Sequence, residues 1–279
     1  MRTRRTRWLL SAVTILAGVG AMTAMTLPAQ AEDRNLPKCP QVFTHGGYPE
    51  VNPDGWKRDQ VRQPNNPMAL QAYKDMGSVG VEADIQLTKD GHKAVMWHNG
   101  STYWLTGSHR NVNDIWWNTG PDKMSGRTIE VGPFKGETVY TLRGYLDSLY
   151  EKKMVPLLEI KPSAAQSLLH SDAGVRDGAW KEVIDPIRER IDRQEIMIYT
   201  HDANLRPEMQ ARFKAAGLEK AFPTAETGPV WPDTVGWEEP PPAADGNFAS
   251  WQAALDKGPN RMATDWPKEM VAWLKGKCE

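Results

Sequence analysis

Six polar residues in this chain close or interrupt short apolar runs, and their types are those of proton transfer and metal binding. His45 ends the run 41–45, Glu82 and Asp84 lie within 79–87, His98 follows 94–97, Glu159 sits in 155–160, and Asp265 ends 262–265. A purely structural strand has no need to finish on such groups. Glu82 and Asp84 are two apart, so on a strand their side chains leave the same face and can share one cation. With Glu159 they form an all-carboxylate set, suited to a hard ion such as Mg²⁺ or Ca²⁺ rather than to zinc, which prefers nitrogen and sulfur. Two acids at this spacing also occur on a merely solvated strand face. His45 and His98 add two groups able to move protons near neutral pH. A cation flanked by two imidazoles fits cleavage of a phosphodiester: the ion neutralises phosphoryl charge, one His deprotonates the nucleophile, and the other protonates the leaving alkoxide.

The elements that must position these groups alternate in kind. Strands are expected over 41–45, 79–87, 94–97, 155–160, 196–199, 221–223 and 262–265. Helices are expected over 68–73, stopped by Gly77, then over 141–152, 180–191 and 207–216, and from Pro267 onward. Alternation of this sort means a parallel sheet, and no glycine-rich dinucleotide or phosphate-loop fingerprint is present. The expected fold is α/β, a closed (β/α)8 TIM-type barrel with long loops over the C-terminal mouth, where barrels carry their active residues. Two connections break the alternation. Residues 99–140 hold Tyr103, Trp104, Trp116 and Trp117, and residues 223–244 are rich in proline and carry Trp231 and Trp237. Each is read as a loop crossing the mouth, either contacting substrate or forming a cover packed by its own aromatics.

Residues 1–31 read as a secretory signal peptide: a basic start with Arg2, Arg4, Arg5 and Arg7, an apolar stretch over 8–26, and Ala29-Gln30-Ala31 before Glu32. The alternative is a membrane anchor, weakened by Gly18, Gly20 and Pro28. The expected mature chain, 32–279, is one domain without stable membrane insertion. It carries 30 basic against 35 acidic residues, a net −5 once the four N-terminal arginines are removed, which argues against a nucleic-acid partner. Its two cysteines, Cys39 and Cys278, sit at opposite ends of that chain. In an oxidising compartment they are expected to form a disulfide, which requires adjacent termini, as in a barrel whose first and last strands are neighbours. Two free thiols are the alternative. Oligomeric state has no signature in the sequence.

The order of these pieces resembles a known family. His45-Gly46-Gly47 with Pro49-Glu50-Val51-Asn52, the stretch from Val81-Glu82-Ala83-Asp84 to Thr88-Lys89-Asp90-Gly91, then His98-Asn99, Leu158-Glu159-Ile160-Lys161 and Thr264-Asp265-Trp266-Pro267 are similar to the glycerophosphodiester phosphodiesterases. The resemblance implies a metal-dependent enzyme acting on a small-molecule or lipid phosphodiester, and the expected signal peptide implies that it is secreted. Glu82, Asp84 and Glu159 would correspond to metal ligands, His45 and His98 to the general acid and base, and Lys161 to a phosphate contact. Glu50 matches an acidic position near the site. The chain departs from the family in having Gly46 where an Arg usually follows the first His, and Asn99 where Asp usually follows the second. Sphingomyelinase D-like phospholipases share the barrel, the paired acids and the histidines and also lack that Arg, so they are the alternative. A barrel that only binds is a third reading.

Overall fold

The computed structural model describes residues 38–45, 65–232 and 248–278. The expected signal peptide, Gly46, Glu50 and residues 233–247 lie outside the described residues. Strands β1 (Gln41–Thr44), β2 (Gly80–Leu87), β3 (Ala94–Met96), β4 (Val155–Ile160), β5 (Met197–Tyr199) and β6 (Arg261–Thr264) alternate with helices α1 (Leu70–Asp75), α2 (Leu142–Lys152), α3 (Ala165–Leu168), α4 (Ala173–Arg188), α5 (Leu205–Ala215), α6 (Ala249–Leu255) and α7 (Pro267–Leu274). The sheet order is β5-β4-β2-β1-β6, all parallel, with β3 turned back antiparallel on β2.

All eight residues of β2 are buried, as expected for a parallel strand covered on both faces. Val81, Ala83, Ile85 and Leu87 face outward into the main core, built with Tyr145 and Leu146 of α2 and Trp180 and Val183 of α4. Glu82, Asp84 and Gln86 alternate with them and are equally buried, so they form a polar lining on the inner face. Deeper on that face, Phe43, Leu157, Met197 and Ala263 pack in one cluster. They come from β1, β4, β5 and β6, and strands at opposite edges can meet only because the sheet curls round on itself. Gly80 makes room for this floor: a Cβ there would lie 2.2 Å from the Phe43 ring. Arg261 of β6 spans the lower end with hydrogen bonds of 2.6 and 2.9 Å to Glu195, just before β5.

The α/β class and the curled parallel sheet agree with the sequence reading, but the count of eight strands does not appear among the described residues. The expected strand at 221–223 is instead the end of a 3-10 turn, Glu219–Ala221. Beyond β6 the wall continues only as a single parallel bridge between Val230 and Met262, and no described residue bridges β5 to Val230. The strand expected at 94–97 is β3, and the short Lys89–Gly91 turn brings it back antiparallel on β2, leaving no room for the crossover that a parallel strand needs.

Helix starts follow their caps. The Thr141 hydroxyl accepts from the Gly144 amide at 3.2 Å to open α2. Asp172 caps Val175 at 3.0 Å, which starts α4 seven residues earlier than the apolar pattern implies. Residues 99–140 form a self-packed cover in which Leu105, Val112, Ile115, Met124 and Ile129 enclose their own core against Val95 and Trp97. Cys39 and Cys278 are joined by a disulfide with Cα atoms 4.9 Å apart, made possible by the pairing of β1 with β6. Among the described residues no helix is long and apolar enough to cross a membrane.

Candidate active site

The floor residues and the site residues occupy the same strands two positions apart. Phe43 precedes His45, Leu157 precedes Glu159, Met197 precedes Tyr199, and Ala263 precedes Asp265. Strand periodicity therefore lifts one polar group from each strand above an apolar base. Parallel pairing sets Asp84 opposite Glu159 and Glu159 opposite Tyr199. Glu82, Asp84 and Glu159 each bring a carboxylate oxygen to within 4.8 Å of the others.

His45 lies just past β1, its amide bonded to the Thr264 carbonyl at 2.9 Å. Its Nδ1 meets Asp265 Oδ1 at 2.8 Å, and its Nε2 faces Glu82 Oε2 at 3.8 Å. Lys161 Nζ sits 3.1 Å from Glu159 Oε2 and 3.4 Å from Asp84 Oδ1. Asn65 clamps Asp84 from two sides: its Nδ2 donates to Oδ2 at 2.8 Å, and its Oδ1 accepts from the Asp84 amide at 2.7 Å. The Tyr199 hydroxyl donates to Glu82 Oε1 at 3.2 Å. The Trp231 ring stands edge-on to His45, with centroids 5.0 Å apart.

Glu82 and Asp84 are fully buried, and Glu159, Asp265 and His45 nearly so. Such a set of carboxylates is costly to hold away from water unless positive charge compensates it. Lys161 supplies part of that charge. Burial alone would lower its affinity for a proton, but Asp84, Glu159 and Glu82 together outweigh burial and hold the ammonium above its ordinary range. Burial, reinforced by Glu82, Glu159 and Asp84, pushes the Tyr199 phenol well above its usual value, so it stays a donor. Burial followed by Glu82 and Asp84 does the same to Tyr145. One ammonium beside three carboxylates leaves an excess of negative charge on oxygen donors, which is the chemistry a hard divalent cation satisfies.

Of the residues singled out from sequence, His45, Glu82, Asp84, Glu159 and Lys161 converge here, and Asp265 joins them behind the histidine. His98 lies past β3, its carbonyl accepting from Gln86 Nε2 at 3.0 Å and its Nδ1 2.9 Å from Asn99 Oδ1. Gln86 is two residues beyond Asp84 on the same face and is itself held by the Ser163 hydroxyl at 2.6 Å. Three contributors had no role assigned from sequence. Tyr199 ends an apolar strand as the other site residues do, which was a usable signal. Trp231 was one aromatic among several in its loop. Asn65 lies in the turn-rich stretch Pro64-Asn65-Asn66-Pro67, which carries no periodicity.

No protein-family model matches the chain, and no curated protein matches it in sequence. Solved structures do share its fold. A phosphodiesterase from Oleispira antarctica in complex with the product sn-glycerol-3-phosphate is similar at 15% identity and TM-score 0.52, over 85% of this chain and 97% of that one. A glycerophosphodiester phosphodiesterase from Agrobacterium tumefaciens is similar at 12% identity and TM-score 0.51, over 84% of this chain and all of the other. The chain thus shares the α/β fold of these solved phosphodiesterases, built here on a curled parallel sheet.

Proposed function

We propose that this chain is a secreted, metal-dependent phosphodiesterase that hydrolyses glycerophosphodiesters to glycerol 3-phosphate and an alcohol, working in a TIM-type barrel. The observation that carries the reading is the His45–Asp265 pair set beside the buried Glu82, Asp84 and Glu159. Those three carboxylates would hold Mg²⁺ or Ca²⁺, which when bound supplies charge to a phosphoryl oxygen and withdraws electron density from phosphorus.

The protein's own groups supply the rest. With Nδ1 donating to Asp265, the His45 ring keeps Nε2 as its acceptor and is oriented by the carboxylate behind it. It is therefore suited to take the proton from the attacking oxygen. His98 gives a proton to the departing alkoxide as the P–O bond breaks, so the alcohol leaves neutral. Lys161 offers an ammonium to a phosphate oxygen and keeps Glu159 and Asp84 in place. Glu50 is assigned to substrate binding by resemblance alone.

Alanine replacement of His45 or His98 tests the assignment. Either should lower turnover by about 10²–10⁴-fold with the fold retained. His92, His109 and His170 serve as controls. If His92→Ala were as damaging as His98→Ala, the pairing would be wrong.

A further inference from the structure

Beside β5 and Val230, which no described residue bridges, lies a cavity of about 440 Å³. Leu157, Tyr199, Pro223, Pro229, Val230 and Trp231 form much of its lining. Two of these also touch the site: Tyr199 hydrogen-bonds Glu82, and Trp231 packs edge-on to His45. The rings of Tyr199 and Trp231 lie 6.4 Å apart by centroid, so this tilted pair forms the boundary that the carboxylate site and the cavity share.

The chemistry of the lining is apolar. Among the described residues it contains no carboxylate and no ammonium, and Thr224 turns its hydroxyl to Thr227 at 3.1 Å. His201 stands exposed at the rim with its ring edge-on to Tyr199. An arm bearing charge or many hydroxyls would be desolvated there without partners. A hydrocarbon arm would lose only water contact.

We propose that this cavity is a subsite for an apolar arm of the phosphodiester, an alkyl or acyl chain that leaves the site sideways through the wall. The assignment rests on the phosphodiesterase reading for the position of the phosphorus. It is distinct from the acid–base and metal-binding roles, and it makes Trp231 and the 223–230 segment determinants of specificity.

The test uses methyl, butyl and octyl diesters of p-nitrophenyl phosphate, each kept below its micelle threshold, with Mg²⁺ present. KM should fall at least tenfold from methyl to octyl with kcat little changed, a cautious fraction of the roughly threefold to fourfold expected per buried methylene. Ala225→Trp, which places an indole in the cavity from an exposed turn, should cut the methyl-to-octyl ratio to below threefold, with Ala225→Leu between. A flat series from an enzyme that hydrolyses the methyl diester overturns the subsite and leaves the phosphodiesterase reading intact. If no diester is cleaved, that reading fails, and calorimetry with methyl and octyl phosphate decides the cavity. Octyl binding tenfold tighter than methyl, abolished by Ala225→Trp, supports it; equal affinities refute it.

Discussion

Replacing Lys161 by Met removes positive charge from beside two buried carboxylates without changing the length of the side chain much. At 3.1 and 3.4 Å, with an effective dielectric constant of about 20, each attraction is worth about 5 kcal/mol before desolvation is subtracted. Breaking a buried pair by deleting one partner costs about 3–5 kcal/mol. The Lys161 side chain keeps 16% exposure, so the lower end, about 3 kcal/mol, is expected. For a domain of this size that corresponds to a fall in Tm of about 6–12 °C. The loss should depend on cation, because a divalent ion held by Glu82, Asp84 and Glu159 compensates the same charge. Melting followed by calorimetry or circular dichroism in excess chelator should show the full deficit, and millimolar Mg²⁺ or Ca²⁺ should reduce it by more than half. An equal deficit with and without cation would refute the coupling of Lys161 to a metal site.

Three further outcomes follow from particular contacts. Asp265→Asn keeps the shape beside His45 but removes the charge 2.8 Å from Nδ1; kcat should fall by about 10²–10⁴-fold with KM little changed, measured by steady-state kinetics. Reducing Cys39–Cys278, which closes a separation of 239 residues, should cost about 5 kcal/mol in the chain-entropy model and lower Tm by about 10–20 °C, with kcat/KM nearly unchanged below the transition. The Asp147 carboxyl, held below its ordinary range chiefly by the hydrogen bond from Arg190, stabilises the contact between α2 and the segment just after α4 above pH 3.8 and loses that effect as pH falls through its folded-state value. The small Tm difference between wild type and Asp147→Asn should therefore be present near neutrality and vanish in strong acid.

Much of the site was legible because barrels put chemistry at strand ends and strands advertise themselves by periodicity. The alternation Val81, Glu82, Ala83, Asp84, Ile85 in a run otherwise apolar signalled a polar inner face directly. The pairing of β1 with β6 agrees with cysteine placement and chain length, which together suit a barrel whose first and last strands are neighbours. What sequence could not show was long-range or aperiodic. Asn65 reaches Asp84 from a turn, and nothing in Pro64-Asn65-Asn66-Pro67 says which strand it will meet. The expected strand at 221–223 is not found because Ala221-Phe222-Pro223 is too short to fix its own geometry, and Ala221 ends a 3-10 turn instead.

The most direct measurement is phosphorus NMR of glycerophosphocholine incubated with the purified chain 32–279, first in excess chelator and then with Mg²⁺ or Ca²⁺ restored. The account predicts no product in chelator and glycerol 3-phosphate on restoring the cation, with Glu82→Gln, Asp84→Asn and Glu159→Gln each requiring more cation for the same rate. Full turnover in excess chelator would contradict the metal site. Inertness toward every glycerophosphodiester, with cleavage of sphingomyelin instead, would contradict the assigned substrate.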